Sequence, residues 1–484
     1  MGQLTLGRAA RSWLLSMAIF CAATLAIGLH ASTAHAARGF DTGIYEPDFT
    51  DSSTAIQTTA FDHAKQARAG SVIVYVDWSR VAPYGKPLGF VASNPADPNY
   101  HWSNIDAAVR DASARGFRVV IAVTRAPDWA EGPGRPSQQA APAGTWKPNP
   151  ADLADFARAI GTRYSGSFLG LPAVRYWQLW AEPNLGVNLS PQFVGKTPVG
   201  FDVYRPMLDS FYASLKAVSP NNVVVAGGTA PYGGLTPARG LTFQRMQPLT
   251  FWRGLLCEST KTKKKKKKHK RSAGAAAAGC TPPRFDVAAH HAINVGGPTR
   301  HARNADDAST PDIGRLRTVL RKGGSGSKPI WNTEIWWNSN PPGRGVSLKT
   351  QARYLSQSFY LLWKQGVQAV FWFELHDLIP NGRDPIPTCG LFFNNYVPKP
   401  ALQAFQFPFA VERISRGSVR VWGMAPGAGS VSITSRGHQV KTLGAEGNRV
   451  FVGTIHMRGR ARLKATQGNE SSLVAPEFTV KGKK

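Results

Sequence analysis

Between residues 40 and 410 the chain alternates two hydrophobic patterns. Short apolar runs rich in β-branched and aromatic residues recur eight times: DTGIY (41–45), SVIVYVDW (71–78), FRVVIAV (117–123), VRYWQLW (174–180), NVVVAGG (222–228), FDVAAHH (285–291), KPIWNTEI (328–335) and AVFWFEL (369–375). Several are nearly continuous, as expected of parallel strands covered on both faces. Between them apolar residues fall at helical spacing. Asn149-Pro150 offers a cap and a first-turn proline, and Leu153, Phe156, Ala157 and Ile160 follow on one face. Residues 104–116 and 347–366 repeat the pattern, each closed by a glycine. Eight β–α units in series predict an α/β fold, a (β/α)8 TIM barrel over residues 37–410; an open sheet is the alternative arrangement of the same units.

After PKPALQAF (398–405) the period changes. SVRVWGM, SVSITS, NRVFVGTI, ARLKAT and EFTVKG alternate apolar and polar positions and are separated by Gly, Asn and Ser. They predict a small antiparallel β-sandwich over residues 411–484, serving either as a cap on the barrel or as a carbohydrate-binding module.

Residues 1–36 read as a signal peptide rather than as fold. Arg8 and Arg11 precede an apolar run from Trp13 to Leu29, and Ala34-His35-Ala36 supplies a small-x-small cleavage pattern. Export follows as the expectation, to the extracellular space or the cell wall, with no membrane anchor. The formal net charge is +29, of which KTKKKKKKHKR (261–271) contributes nine charges. Such a protein is drawn to anionic polymers, wall polymers among them. No nucleic-acid motif accompanies the charge, so no specific nucleic-acid partner is expected. Cys257 and Cys280 bracket this tract and an Ala/Gly stretch, neither able to form a core, and predict a disulfide at the neck of a disordered insertion, residues 258–279. Closing such a loop is worth about 3 kcal/mol in the chain-entropy model. Cys389 is left over and expected to be buried. No Cys/His group has zinc spacing, so neither metal nor cofactor is expected.

Working residues of a barrel sit at the C-terminal ends of its strands. Strand four ends in Trp180-Ala181-Glu182-Pro183-Asn184 and strand seven in Asn332-Thr333-Glu334-Ile335-Trp336-Trp337. Two glutamates on strands three apart face each other across the mouth, the arrangement that glycosidic cleavage with retention requires. Trp78, Trp129, Trp336, Trp337 and Trp372 fall at or after strand ends, where a ring either stacks on a sugar or plugs the barrel top. His290, Glu374 and Asp377 are supporting candidates.

With LWAEPN, IWNTEIWW, FWFELHD and KPALQAF in place, the chain resembles the clan of retaining (β/α)8 glycoside hydrolases that includes families 5 and 39, over residues 40 to 407. The resemblance implies a hydrolase of O-glycosidic bonds acting on a poly- or oligosaccharide. It makes Glu182 the acid/base and Glu334 the nucleophile, with Trp372 flooring the sugar site and His291 near the nucleophile; Asn184 and His291 are further substrate-binding candidates. Three positions depart from the clan. Its asparagine before the acid/base is Ala181, its tyrosine after strand six is Ile293, and its strand-two arginine has no counterpart. Each loss removes a hydrogen bond that can be worth ~10² in rate. A different sugar, or a catalytically weak barrel that binds wall polysaccharide, are the two readings these departures allow.

Overall fold

Eight parallel strands close on themselves in a computed structural model that describes residue 37 and residues 39–137, 140–258, 279–341, 344–378 and 387–480. The predicted signal peptide (1–36) and nearly all of the predicted insertion (259–278) lie outside these residues. The strands are β1 (Asp41–Tyr45), β2 (Ser71–Asp77), β3 (Arg118–Thr124), β4 (Tyr176–Leu179), β5 (Val223–Thr229), β6 (Val287–His290), β7 (Ile330–Ile335) and β8 (Val367–Phe373). Each pairs with its neighbours in sequence, and β1 joins β8 through Asp41–Ala369 to Tyr45–Phe373. All eight predicted runs became these strands, and the barrel replaces the open-sheet alternative.

Helices follow the strands in turn: α1 (Thr54–Gln66), α2 (Ser103–Ala114), α3 (Pro150–Arg163), α4 (Gly200–Val218), α5 (Pro248–Leu255), α6 (Ile313–Lys322), α7 (Leu348–Lys364) and α8 (Pro400–Gln406). Asn149 caps α3, its Oδ1 accepting from the Ala151 N–H at 2.9 Å, a contact worth about 1 kcal/mol.

Strand parity sorts the side chains. Ile73, Val120, Ala122, Val225, Ala289, Trp331 and Phe371 form an apolar cluster of their own, filling the barrel. Val72, Val74, Val76, Ile121 and Val370 alternate with them and belong to the larger cluster shared with the helices. The interior is so full that a Cβ on Gly43 would stand 2.3 Å from the Phe371 ring, so only glycine fits there.

Beyond α8 come β9 (Phe409–Ser415), β10 (Ser418–Met424), β11 (Gly429–Ser435), β12 (His438–Ala445), β13 (Val450–His456), β14 (Gly459–Ala461), β15 (Leu463–Gln467), β16 (Glu470–Ser471) and β17 (Phe478–Val480). Sheets ordered β9-β10-β13 and β12-β11-β15-β16 form the predicted antiparallel sandwich. Its core brings Val419, Val421, Phe451 and Ile455 against Val431, Ile433, Leu463 and Ala465. The other face of β10 is also covered. Trp422 packs against Phe40, Tyr360 and Trp363 at ring distances of 5.8 to 5.9 Å, and Glu412 takes Lys364 of α7 at 2.6 Å. The sandwich therefore braces the barrel along α7.

Cys257 and Cys280 are bonded, with Cα atoms 5.7 Å apart, and Cys389 is free and buried. The bond joins the end of α5 to the approach to β6, at the barrel foot.

Candidate active site

The mouth is assembled where three strands break regularity. After β4 the backbone turns through two left-handed residues, Trp180 at φ 65° and Glu182 at φ 46°. Such conformations cost of order 1–3 kcal/mol and persist only when the surroundings fix them. Here the Trp180 N–H donates to the Val123 carbonyl at 2.8 Å and the Glu182 N–H to the Gly228 carbonyl at 2.9 Å. The β7–β8 register slips by one residue between Asn332 and Ile335, an irregularity of the kind that re-aims a side chain. Glu334 lies within it. A second slip, between β5 and β6 around Gly228, precedes His291.

These breaks bring Glu182, His291 and Glu334 together, with one ligating atom of each within 4.8 Å of the others. His291 is buried, its Nδ1 standing 3.1 Å from Glu182 Oε1 and 3.7 Å from Glu334 Oε2. Trp336 donates its indole N–H to Glu334 Oε1 at 3.0 Å. Burial pushes the Glu334 carboxyl up to about 7, against the pull of His291 and with a push from the Glu182 charge. Burial would lower the His291 imidazole, but Glu334 and the hydrogen bond to Glu182 together raise it. Trp180, two residues before Glu182, does not line the site. Trp180 turns into the core instead, its indole donating to the Asn188 carbonyl at 2.7 Å.

A cleft of about 470 Å³ opens over the two glutamates, lined also by Tyr232, Arg245, Ile293, Trp336 and Trp337. The other predicted contacts are placed elsewhere. Trp78 and Trp372 are fully buried. Trp78 stacks on Phe156, while Trp372 lies under Trp337 and donates to the Cys389 carbonyl at 2.9 Å. Neither offers a ring face to a ligand: Trp372 has the parity of Val370, and Trp78 opens a short helical turn after β2 and is buried in the core. Trp129 packs at the edge of Trp78 beneath the Lys86 ammonium and is not among the cleft residues. Asn184 is buried, bonded to both backbone groups of Ala230 and to the Met246 carbonyl, so it holds loops and not a sugar. His290 is a neutral packing residue between Thr229 and the Ala308 carbonyl, lowered to about 4 by burial. Two residues the sequence reading passed over belong to the site. Tyr75, inward on β2, feels both glutamate charges, and Arg245 lines the cleft. The parity of SVIVYVDW could have found the first.

A second charged group lies beside the mouth. His376 bonds Asp48 at 2.8 Å and the Asp377 carbonyl at 3.0 Å, with Glu46 at 3.9 Å. Burial lowers His376, but Asp48 and Glu46 outweigh it and raise it to about 9. With both ring nitrogens donating, this imidazolium has no lone pair for a metal. Burial pushes Glu46 up to about 7 and, with the Glu46 and Glu334 charges, Glu374 up to about 10. All three folded values exceed the unfolded ones, so the protonated forms stabilise the fold at low pH and that stability is lost as pH rises. The melting temperature is expected to fall between about pH 4.5 and 10, less steeply between about 6.5 and 9 in His376→Gln. Thermal unfolding at fixed ionic strength checks this, and a flat profile contradicts it. Deeper still, Lys399 and Asp377 form an ion pair with both side chains at most 1% exposed. Lys399→Met leaves Asp377 buried and unpaired, and denaturant unfolding should show a loss of about 3–5 kcal/mol.

Fold and site together define a (β/α)8 barrel with paired carboxylates at its mouth. Among solved structures the chain is similar to a family 39 glycoside hydrolase from Bacteroides cellulosilyticus WH2 (15% identity, 86% of this chain and 79% of that chain, TM-score 0.51). It is likewise similar to the GH39 enzyme of Xanthomonas axonopodis pv. citri (12%, 88% and 94%, 0.50) and a GH39 β-xylosidase of Caulobacter crescentus (15%, 88% and 98%, 0.50). The shared feature at these identities is the fold. No family model matches the sequence, and no curated protein matches it.

Proposed function

We propose that the chain is a secreted glycosidase that hydrolyses O-glycosidic bonds of a poly- or oligosaccharide with retention. The observation that carries this reading is the pair of carboxylate oxygens, from Glu182 and Glu334, within 4.8 Å of each other at one barrel mouth. A retaining pair needs about 5–5.5 Å between carboxyls, whereas an inverting pair leaves room for water at about 6.5–9.5 Å. In the first step a Glu334 oxygen attacks the anomeric carbon while Glu182 protonates the departing oxygen. In the second, Glu182 takes a proton from water, which displaces Glu334 from the glycosyl ester. A screen of aryl-glycosides and plant and bacterial polysaccharides tests the activity, with NMR of the first-formed anomer. Inversion overturns the mechanism, and binding without turnover overturns the enzyme.

Ala181 and Ile293 favour the second reading, a weak barrel that binds wall polysaccharide. Ala181→Asn discriminates. With a missing sugar contact restored, kcat/KM on glucose-like aryl-glycosides should rise about tenfold or more. No activity in either protein, together with measurable polysaccharide binding, favours the non-catalytic reading. Export and association with anionic wall polymers through the lysine tract are part of the proposal.

A further inference from the structure

Most polar groups lining the cleft are engaged by the protein. Tyr232 Oη bonds the backbone of Ile293 and Val295 at 3.0 and 3.1 Å, Asn294 Nδ2 donates to the Arg300 carbonyl, and Asn338 Oδ1 accepts from the Thr388 N–H. Glu182 and Glu334 are held by His291 and Trp336. Arg245 differs. It is exposed and lines the same cleft, and among the described residues its guanidinium has no hydrogen bond and no ion pair.

Its placement is nonetheless fixed. Arg245 bridges to Leu185, three residues beyond Glu182. The Gly186 N–H donates to the Gln244 carbonyl at 2.7 Å, the Met246 N–H to the Asn184 carbonyl at 2.8 Å, and the Gly234 N–H to the Arg245 carbonyl at 2.9 Å. The buried Asn184 side chain fastens the same two segments. A Cβ on Gly186 would stand 1.9 Å from the Leu241 carbonyl oxygen, so this close approach requires glycine. A guanidinium carried on a fixed backbone with its donors unspent, in the cleft that holds the two carboxylates, is a receptor for an anion.

We propose that Arg245 selects a substrate bearing an anionic group, a carboxylate or a sulfate ester, on a sugar seated in this cleft. The inference rests on the glycosidase reading for its kinetic arm only. The binding arm uses Glu334→Gln, titrated calorimetrically with a hexuronate oligosaccharide and its carboxyl-reduced counterpart, and with a sulfated oligosaccharide and its desulfated counterpart. The anionic member of one pair should bind at least about tenfold tighter, and the pair that separates identifies the group. Arg245→Gln in that background should bring the two members within about twofold, while Arg245→Lys keeps part of the preference. In the active protein the ratio of kcat/KM within the same pair should collapse likewise. Equal binding within both pairs, binding of neither, or a preference that survives Arg245→Gln overturns the proposal. Separation that depends on Arg245 without turnover of any glycan sinks the glycosidase reading and leaves this one standing.

Discussion

Glu334→Gln is expected to lower kcat on any aryl-glycoside by about 10⁵-fold while the fold survives. The amide is isosteric and can still accept from Trp336, but it cannot form the glycosyl ester. Losing a covalent nucleophile is among the largest single-residue effects known in enzymes, up to ~10⁶. Burial adds a second consequence, because Glu334 lies at about 7 in the free protein. The nucleophile must be ionised, so kcat/KM should fall as pH drops through that region. Single-turnover assays across pH 5–9 check both points. A Gln variant retaining more than a hundredth of the rate excludes Glu334 as nucleophile.

Glu182→Ala should behave differently, with a loss of about 10²–10⁴-fold that depends on the leaving group. Dinitrophenolate leaves without protonation, so the first step on a dinitrophenyl glycoside should survive and the glycosyl ester should accumulate. Azide needs no general base and fits the space left by the carboxyl. It should restore turnover and give a glycosyl azide of retained configuration. Removing Glu182 also takes away the hydrogen-bond partner of His291 and one charge beside Glu334, so the acid-side pH limit should move down. Equal, unrescuable losses in both variants would contradict the division of roles. An azide product from Glu334→Gln and not from Glu182→Ala would reverse it.

The strands were legible because burial on both faces writes itself into composition: β2 and β3 have no polar alternation to confuse with a surface. The two glutamates were legible because a carboxylate closing an apolar run has few structural reasons to be there. The tryptophans misled for a geometric reason. One residue of phase decides which face of a strand a ring occupies, and Trp372 shares parity with Val370, on the helix side. The mouth itself depends on two left-handed residues and two register slips, which follow from contacts distant in sequence. Arg245 was invisible for the same cause: 63 residues of chain separate it from Glu182, and only the ladder between their loops makes them neighbours.

The Cys257–Cys280 bond also sets a polarity on the whole molecule. It ties a helix end to the start of a strand, and such connections lie at the pole of the barrel opposite the strand ends that carry Glu182 and Glu334. The nine charges of residues 261–271 are threaded on the chain that this bond closes. Reducing the bond would therefore loosen the foot of the barrel while the Glu182–Glu334 pair, built on strand ends at the other pole, stays in place.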